Sequence, residues 1–350
     1  MNFSKVGIST ATVLMIYYDQ KTPRFIPEAP ALQNGDVSNA TFTQSTEVVD
    51  SCSSENHFLK KYINSKTSQI RYEILRCEAE AADFNLKEIS VIGHRGHGMD
   101  CFNKPLDLAG ENSQHLIKEN TIKSFMLAHR KKAQMVEMDI HMTKDRKLVV
   151  FHDDVIDKRM VAEMEYLEFL EQTESTEKEF ETTNTTLDNI LRYLPDDLAL
   201  YLEIKYSHNH KYSNSYEIDL IQGLITLLQS YPKRKIVLAS FSPLICELLK
   251  SYCPGYKTCF LIGEESMKFS KVGDEEFCKI VAEFAKGWNI DGIVVDTEIV
   301  PRIGNIISQC KDSLCLMCYG DGANDIEQVK KLKEMGFSGF CTDSIDIYAL

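Results

Sequence analysis

The sequence predicts an α/β protein whose main part is a closed (β/α)8 TIM barrel with a short N-terminal extension. Eight short apolar runs, rich in β-branched residues, recur between Ile89 and the last residue of the 350-residue chain. Segments with helical periodicity lie between several of these runs. Strands that are apolar on both faces and alternate with helices are typical of a parallel sheet, and eight such units close into a barrel.

The predicted strands follow one another in chain order as "ISVIGH", "MVEMDIHM", "LALYLEIK", "KIVLASF", "KTCFLIG", "DGIVVDT", "LCLMCYG" and "FSGFCTD". Between them, "ENTIKSFMLAHRKKA" and "DIEQVKKLKEMGF" have the apolar spacing of helices, and Gly336 suits the carboxyl end of the second. A doubly wound open sheet is the alternative architecture. The barrel is favoured because no G-x-G-x-x-G turn follows the first strand.

Two parts of the chain are expected to differ in structure. Residues 89–350 are predicted to form the barrel, and residues 1–88 an extension that is partly disordered or a fragment of an appended module. The stretch from about residue 18 to residue 56 is rich in Pro, Ser, Thr and Asn and lacks apolar periodicity. The first apolar run is too short for a transmembrane helix, so we expect no integral membrane segment and a cytoplasmic location, with a signal peptide as the alternative.

The composition and net charge of the chain argue against some classes of ligand. The formal net charge is −13, and 43% of the residues are hydrophobic, which fits a globular domain and argues against nucleic-acid binding or a polybasic membrane surface. The eleven Cys lack the spacing of a disulfide framework, and the C-x-x-C of Cys315 and Cys318 has no second pair, so we expect reduced thiols and no zinc site. No motif indicates a protein partner.

Two predicted strands carry carboxylates near their carboxyl ends. Glu137 and Asp139 are two residues apart and share one strand face, as do Glu203 and Lys205. Buried carboxylates repel one another unless a cation lies between them. Glu137, Asp139 and Glu203 therefore predict an oxygen-rich site for a divalent metal cation, Mg²⁺ or Ca²⁺. The alternative is that they are interior barrel residues neutralised by salt bridges.

Two histidines lie close to the predicted strand ends. His94 ends the first segment and is followed by Arg95, while His152 follows "LVVF" and precedes Asp153. Two imidazoles beside a metal suit the cleavage of a phosphodiester, because one can accept a proton and the other can donate one to the leaving group. Arg95 and Lys205 supply positive charge for the phosphate oxygens.

In this order and at these spacings, "GHRG", "ENT", "VEMDI", "FHD" and "LEIK" resemble the glycerophosphodiester phosphodiesterase family, from about Ile89 to the C-terminus. The later part, beginning with "KRKIVLASFSP", is similar to the eukaryotic glycerophosphocholine phosphodiesterases. The resemblance implies a barrel of the PLC-like phosphodiesterase type. It also implies hydrolysis of a small-molecule glycerophosphodiester, with glycerophosphocholine favoured, to sn-glycerol 3-phosphate and an alcohol.

The resemblance also assigns a role to the residues already singled out. They are the acid–base pair His94 and His152, the metal ligands Glu137, Asp139 and Glu203, and the phosphate-binding Arg95 and Lys205. Glu119, in the "ENT" segment, is expected near the site at the start of the first barrel helix. Tyr319 stands where the glycerophosphocholine branch has Trp, so it is expected to contact the alcohol part of the substrate, with packing at the barrel end as the alternative.

Several alternatives remain open at the level of sequence. A glycerol hydroxyl attacks phosphorus in one route, with later hydrolysis of a cyclic phosphate, and a water molecule attacks directly in the other. A lysophospholipase D acting on lysolipids is a second enzyme, but it would need an apolar channel or a membrane-facing surface. A catalytically silent barrel that acts as a binding or scaffold protein would be expected to lack one of the two His or three carboxylates, and the chain has all five.

Overall fold

The computed structural model describes Cys77 and residues 82–97, 117–173, 183–206 and 213–348. All of them belong to one compact unit that runs from Tyr72 to Leu350. The predicted N-terminal extension and its alternatives, including the signal peptide, fall mainly outside the described residues. The boundary at residue 88 therefore stays a prediction.

Eight parallel strands form the closed barrel that the sequence predicts, each within one predicted segment. In chain order the strands are β1 (Val91–Gly93), β2 (Met135–Met142), β3 (Leu148–Val150), β4 (Val155–Ile156), β5 (Arg159–Met160), β6 (Ala199–Ile204), β7 (Ile236–Ser240), β8 (Lys257–Ile262), β9 (Gly292–Asp296), β10 (Cys315–Tyr319) and β11 (Gly339–Thr342). Strands β1, β2 and β6 to β11 make the barrel. The ring closes because β1 pairs in parallel with both β2 and β11.

Helices cover the outside of this ring. They are α1 (Ile122–Arg130), α2 (Tyr166–Gln172), α3 (Leu187–Tyr193), α4 (Ser213–Gln229), α5 (Pro243–Tyr252), α6 (Glu264–Ser270), α7 (Asp274–Gly287), α8 (Val300–Ile307) and α9 (Ile326–Met335). Their apolar residues, such as Phe125 and Leu249, pack against outward-facing strand residues such as Met138 and Leu202. No helix within the described ranges has the length and apolarity needed to cross a membrane.

Local signals set the helix ends. Pro243 occupies the start of α5, and the Ser242 hydroxyl accepts a hydrogen bond from the Ile245 amide at 3.3 Å. Asp325 caps α9, and the helix ends at Gly336, whose φ of 101° is left-handed. The predicted terminating role of Gly336 is therefore confirmed, because a side chain disfavours that conformation.

A short hairpin follows β2 and interrupts the alternation of strands and helices. Strand β3 runs antiparallel to β2, with Val150 opposite Ile140, and the Phe151 amide donates to the Asp139 carbonyl at 3.0 Å. The sequence analysis did not predict this antiparallel strand. It matters for the site, because the hairpin returns the chain to the carboxyl end of β2 and places His152 there.

The barrel interior is filled by apolar side chains up to the carboxyl ends of the strands. The inward-facing residues that pack together are Ile92, Met135, Ala199, Tyr201, Val237, Ala239, Cys259, Leu261, Val294, Cys315, Met317 and Cys341. Leu86, in the 3₁₀ helix Leu86–Glu88, joins them just before β1. Because side chains alternate along a strand, Cys315 faces inward and Cys318 outward, so this C-x-x-C cannot direct both thiols to one zinc ion.

Glu247 is a buried carboxyl on α5, away from the strand ends. Glu247 is only 5% exposed, and its Oε2 atom has no hydrogen-bond partner among the described residues. Burial raises the pKa of this carboxyl from 4.5 to about 8. Because the folded state then holds the proton more tightly than the unfolded state, the free energy of unfolding falls as the pH rises through this interval.

Glu247→Gln should therefore raise the free energy of unfolding by about 1–3 kcal/mol at pH 7.5 and change it little below pH 4.5. Urea denaturation at the two pH values measures both effects. Glu334→Gln, on the exposed side of α9, is the matched control and should change neither. An effect of Glu247→Gln that is equal at both pH values would contradict the assigned pKa.

Candidate active site

The carboxyl ends of the barrel strands form a ring of inward-facing residues, here called the barrel mouth. Each member lies two or four residues after an apolar interior residue and so shares its face. The members are His94 (β1), Glu137 and Asp139 (β2), Glu203 and Lys205 (β6), Phe241 (β7), Gly263 (β8), Asp296 (β9), Tyr319 (β10) and Asp343 (β11). Six of the predicted site residues belong to this ring, and Arg95 and His152 reach it from adjoining turns.

The "GHRG" segment is a tight turn after β1. Arg95 and Gly96 have φ values of 50° and 88°. A Cβ on Gly96 would collide with the Ser124 hydroxyl, and a Cβ on Gly93 would collide with the Gly96 carbonyl. Glycine is therefore required at both positions, and the resulting turn directs the Arg95 amide to Glu137 Oε2 at 2.8 Å.

The "ENT" segment places a buried amide against β2. The side chain of Asn120 donates to Asp139 Oδ2 at 2.7 Å and accepts from the Asp139 amide at 3.3 Å. The next residue, Thr121, caps α1 in a capping box with Ser124. The sequence analysis assigned this segment to the start of a helix, which is correct, and did not identify the contact of Asn120 with Asp139.

Three carboxylates converge at the mouth. Glu137, Asp139 and Glu203 each offer an oxygen within 4.8 Å of the other two, and the residues are only 3%, 1% and 8% exposed. Glu137 Oε1 is buried and has no hydrogen-bond partner among the described residues. Converging carboxylate oxygens, one of them with unused lone pairs, suit a hard divalent cation, so the residues fit the predicted ion.

Two basic side chains balance part of this negative charge. Lys205 Nζ lies 2.8 Å from Asp139 Oδ1 and 2.5 Å from Glu203 Oε1. Arg95 donates to Glu119 Oε1 at 2.8 Å, and its Nε lies 3.6 Å from Asp139 Oδ2. Glu119 is therefore connected to the site by its hydrogen bond to Arg95, and it is not one of the three converging carboxylates.

These charges shift the pKa values of neighbouring groups in opposite directions. Burial raises the pKa of Glu137 to about 8, and repulsion from Asp139 adds to the shift. Burial also disfavours the charged form of Asp139, but Lys205 and Arg95 outweigh it and hold the pKa of Asp139 well below its usual range. The cluster thus contains one carboxyl in excess of its basic partners, and a further cation would stabilise its ionised form.

A carboxylate from the last strand holds the ring of His94. His94 Nδ1 lies 2.8 Å from Asp343 Oδ1, and the Asp343 amide donates to Asn324 Oδ1 at 2.8 Å. Burial lowers the pKa of His94, but the hydrogen bond to Asp343 and the charge of Glu137 raise it above its ordinary value overall. This contact fixes the ring through Nδ1 and leaves Nε2 for proton transfer.

His152 reaches the same region from the β2–β3 hairpin. Its Nδ1 lies 2.7 Å from Asp153 Oδ1, and its carbonyl oxygen is 3.3 Å from Nε2 of the buried His141. His152 shares a pocket with Glu119 and with Asn120, the residue that donates to Asp139. A pocket beside it is lined by Lys118, Glu119, Asn120, Phe151, His152, Asp153 and Asn184.

Tyr319 faces the mouth from the end of β10 and is half-buried. Its ring meets that of Phe241 edge to face, with the centroids 5.9 Å apart. Its hydroxyl lies within hydrogen-bonding reach of Asp296. The residue therefore packs on a neighbour and also borders the open end of the barrel, where a ligand can reach it.

Sequence reasoning missed four polar residues of this region, Asn120, Asp296, Asn324 and Asp343. A signal existed for two of them, because Asp296 and Asp343 follow an apolar strand residue at the same spacing as Glu203. Asn120 lies in an irregular segment before α1 and Asn324 at the end of the 3₁₀ helix Asp321–Asn324, and no periodicity marks their contacts.

A family model described as the Glycerophosphoryl diester phosphodiesterase family matches residues 94–347. This range begins at His94 and includes every residue of the site. The chain belongs to this family. The resemblance found in the sequence motifs is thereby confirmed.

Individual relatives are distant. The chain is 27% identical over 299 residues to glycerophosphocholine phosphodiesterase GPCPD1 of Homo sapiens, an alignment that covers 73% of this chain and 43% of that protein. It is 25% identical over 302 residues to glycerophosphodiester phosphodiesterase GDPD2 of Arabidopsis thaliana, covering 77% and 78%. The chain thus spans less than half the length of the human relative.

Solved structures show the same fold. A putative glycerophosphoryl diester phosphodiesterase from Silicibacter pomeroyi superposes with a TM-score of 0.58 at 17% identity, covering 77% of this chain and 94% of that one. A phosphodiesterase from Oleispira antarctica, in complex with the product sn-glycerol 3-phosphate, gives 0.56 at 18% identity, covering 74% and 95%. The predicted barrel is confirmed.

Asp343→Asn should lower the pKa of His94, because it replaces the charged acceptor that stabilises the protonated ring with a neutral one. Titration of the ¹⁵N-labelled imidazole by NMR measures the change. Asp312→Asn, which removes an exposed carboxylate, is the control and should leave the titration as it is. An unchanged His94 titration in Asp343→Asn would show that the two side chains do not interact in solution.

Proposed function

We propose that this chain is a metal-dependent glycerophosphodiester phosphodiesterase. It hydrolyses a small glycerophosphodiester, with glycerophosphocholine favoured, to sn-glycerol 3-phosphate and the alcohol. The observation that carries the proposal is the meeting of three buried carboxylates, two basic side chains and two carboxylate-bound histidines at one end of the barrel. Membership of the family and the similarity to proteins named glycerophosphocholine phosphodiesterases support it.

The phosphate group is assigned to Arg95 and Lys205. Both are half-buried bases whose charge is already oriented by carboxylates, so little side-chain entropy is lost when they bind an anion. Glu137, Asp139 and Glu203 would hold Mg²⁺ or Ca²⁺, which supplies positive charge for the phosphate oxygens in the transition state.

Cleavage needs one group that accepts a proton from the nucleophile and one that donates a proton to the leaving oxygen. His94 and His152 are assigned these two steps. In each ring Nδ1 is bound to a carboxylate, that of Asp343 or Asp153, so the exchangeable proton resides at Nε2. The same pair serves whether a glycerol hydroxyl or a water molecule attacks phosphorus.

The alcohol part of the substrate is assigned to the side of the mouth on which Tyr319 lies. An aromatic face at this position suits a choline ammonium, which aromatic rings attract through their quadrupole. The edge-to-face contact with Phe241 fixes the orientation of the Tyr319 ring.

The first experiment measures release of glycerol 3-phosphate from glycerophosphocholine by the purified chain. We expect turnover that EDTA abolishes and that Mg²⁺ or Ca²⁺ restores. His94→Ala and Glu137→Ala should each lower kcat/KM by about 10²–10⁴-fold, because one removes a proton-transfer group and the other a ligand of the cation. His129→Ala, on α1 outside the mouth, is the matched control and should retain activity.

The outcomes separate the competing functions. Turnover of lysolipid micelles without turnover of glycerophosphodiesters would favour a lysophospholipase D. A chain that hydrolyses neither class in the presence of Mg²⁺ or Ca²⁺ would contradict the proposal and favour a binding or scaffold role. Activity that survives both EDTA and Glu137→Ala would contradict the metal assignment alone.

A further inference from the structure

The barrel mouth has two chemically different halves. Strands β11, β1, β2 and β6 supply the histidine, the three carboxylates and the lysine described above. The four consecutive strands β7 to β10 supply the other half, and its members are Phe241, Gly263, Asp296 and Tyr319. No bond-breaking step proposed above uses these four residues, so the second half of the mouth needs its own explanation.

The polar atoms of this second half point to one place. A Cβ built on Gly263 would lie 2.7 Å from the Tyr319 hydroxyl and 3.6 Å from Asp296 Oδ2. The absence of a side chain at Gly263 therefore leaves room for the Tyr319 hydroxyl, and the Asp296 side chain borders the same position. The edge-to-face rings of Phe241 and Tyr319 form the adjoining wall. All three side chains are half-buried and so remain accessible from the mouth.

Among the residues that the structure describes, Asp296 has no basic partner. Its Oδ1 accepts a hydrogen bond from the Glu298 amide at 3.0 Å. Burial raises the pKa of Asp296, and the charges of Glu264 and Asp321 raise it further. Within the described part of the chain, no Lys, Arg or His forms an ion pair with it. Negative charge in excess at a partly buried point favours the approach of a cation.

We infer that Asp296, with Phe241 and Tyr319 beside it, forms a subsite for an alcohol that carries an ammonium group. Asp296 is the counter-ion, and the two rings provide the faces against which the ammonium substituents pack. The inference rests on the proposed function, because that function places the phosphate of the substrate in the first half of the mouth, beside Arg95, Lys205 and the residues that would hold the divalent cation.

The two halves together select for a ligand that has a negative charge at one end and a positive charge at the other. A diester with phosphate at one end and an ammonium at the other is complementary to both halves, whereas a diester of a neutral alcohol is complementary to one. Choline and ethanolamine esters share this chemistry. Asp296 is thus a specificity-determining residue for the leaving alcohol.

The test compares two substrates that differ by one atom. One is glycerophosphocholine, and the other is the glycerophosphate diester of 3,3-dimethylbutan-1-ol, in which carbon replaces the choline nitrogen and the charge is lost. We expect Asp296→Asn to lower the ratio of kcat/KM for choline diester to kcat/KM for neutral diester by about tenfold or more. Glu298→Gln removes a neighbouring exposed carboxylate and should change this ratio by less than about twofold.

The results distinguish this inference from the proposed function. A wild-type chain that hydrolyses neither diester would overturn the function itself. Hydrolysis of both diesters with the same ratio in wild type and Asp296→Asn would leave the function standing and overturn the subsite. A ratio lowered equally by Glu298→Gln would also overturn it, because the effect would then be one of general surface charge.

A measurement on the unmodified chain covers the case in which Asp296→Asn fails to fold. Choline and 3,3-dimethylbutan-1-ol are added as inhibitors of the wild-type hydrolysis of the neutral diester. We expect choline to inhibit at concentrations at least about tenfold lower than the neutral alcohol. Equal inhibition by the two compounds would overturn the assignment of Asp296 as a counter-ion.

Discussion

The carboxylate of Asp139 makes the contacts that position the other residues of the barrel mouth. Its two oxygens bind Lys205 just after β6 and Asn120 just before α1. The backbone carbonyl of Asp139 also accepts the amide of Phe151, the residue after β3. Four separate segments are thereby held against β2, counting the turn that carries Arg95. A buried charge is costly unless it is paired, so the position of each of these groups is fixed by the need to satisfy Asp139.

The backbone around Asp139 is strained, and the carboxylates near it are incompletely neutralised. Arg95 and Asn120 both adopt positive φ, at 50° and 55°, a conformation that costs about 1–3 kcal/mol each unless the surroundings enforce it. Glu137 keeps a buried oxygen that has no hydrogen-bond partner in the described part of the chain. A barrel selected for stability alone would fill this position with an apolar side chain, and the proposed cation and anionic substrate would account for the departure.

The sequence predicted the features that repeat along a strand. The eight barrel strands, the shared face of Glu137 and Asp139, and the convergence of Glu203 with them all follow from a period of two and from the closure of parallel strands. It did not predict the contact between His94 and Asp343. Asp343 and His94 are 249 residues apart, and they meet only because the last strand pairs with the first. Strand β3 was missed for a similar reason, since its direction depends on a turn and not on its apolar pattern.

The most direct test of the account is the location of a divalent cation in crystals soaked with Mn²⁺, whose anomalous scattering identifies it. The account predicts one strong peak about 2.0–2.6 Å from carboxylate oxygens of Glu137, Asp139 and Glu203. A peak at another place, or none at a Mn²⁺ concentration that supports hydrolysis, would contradict it.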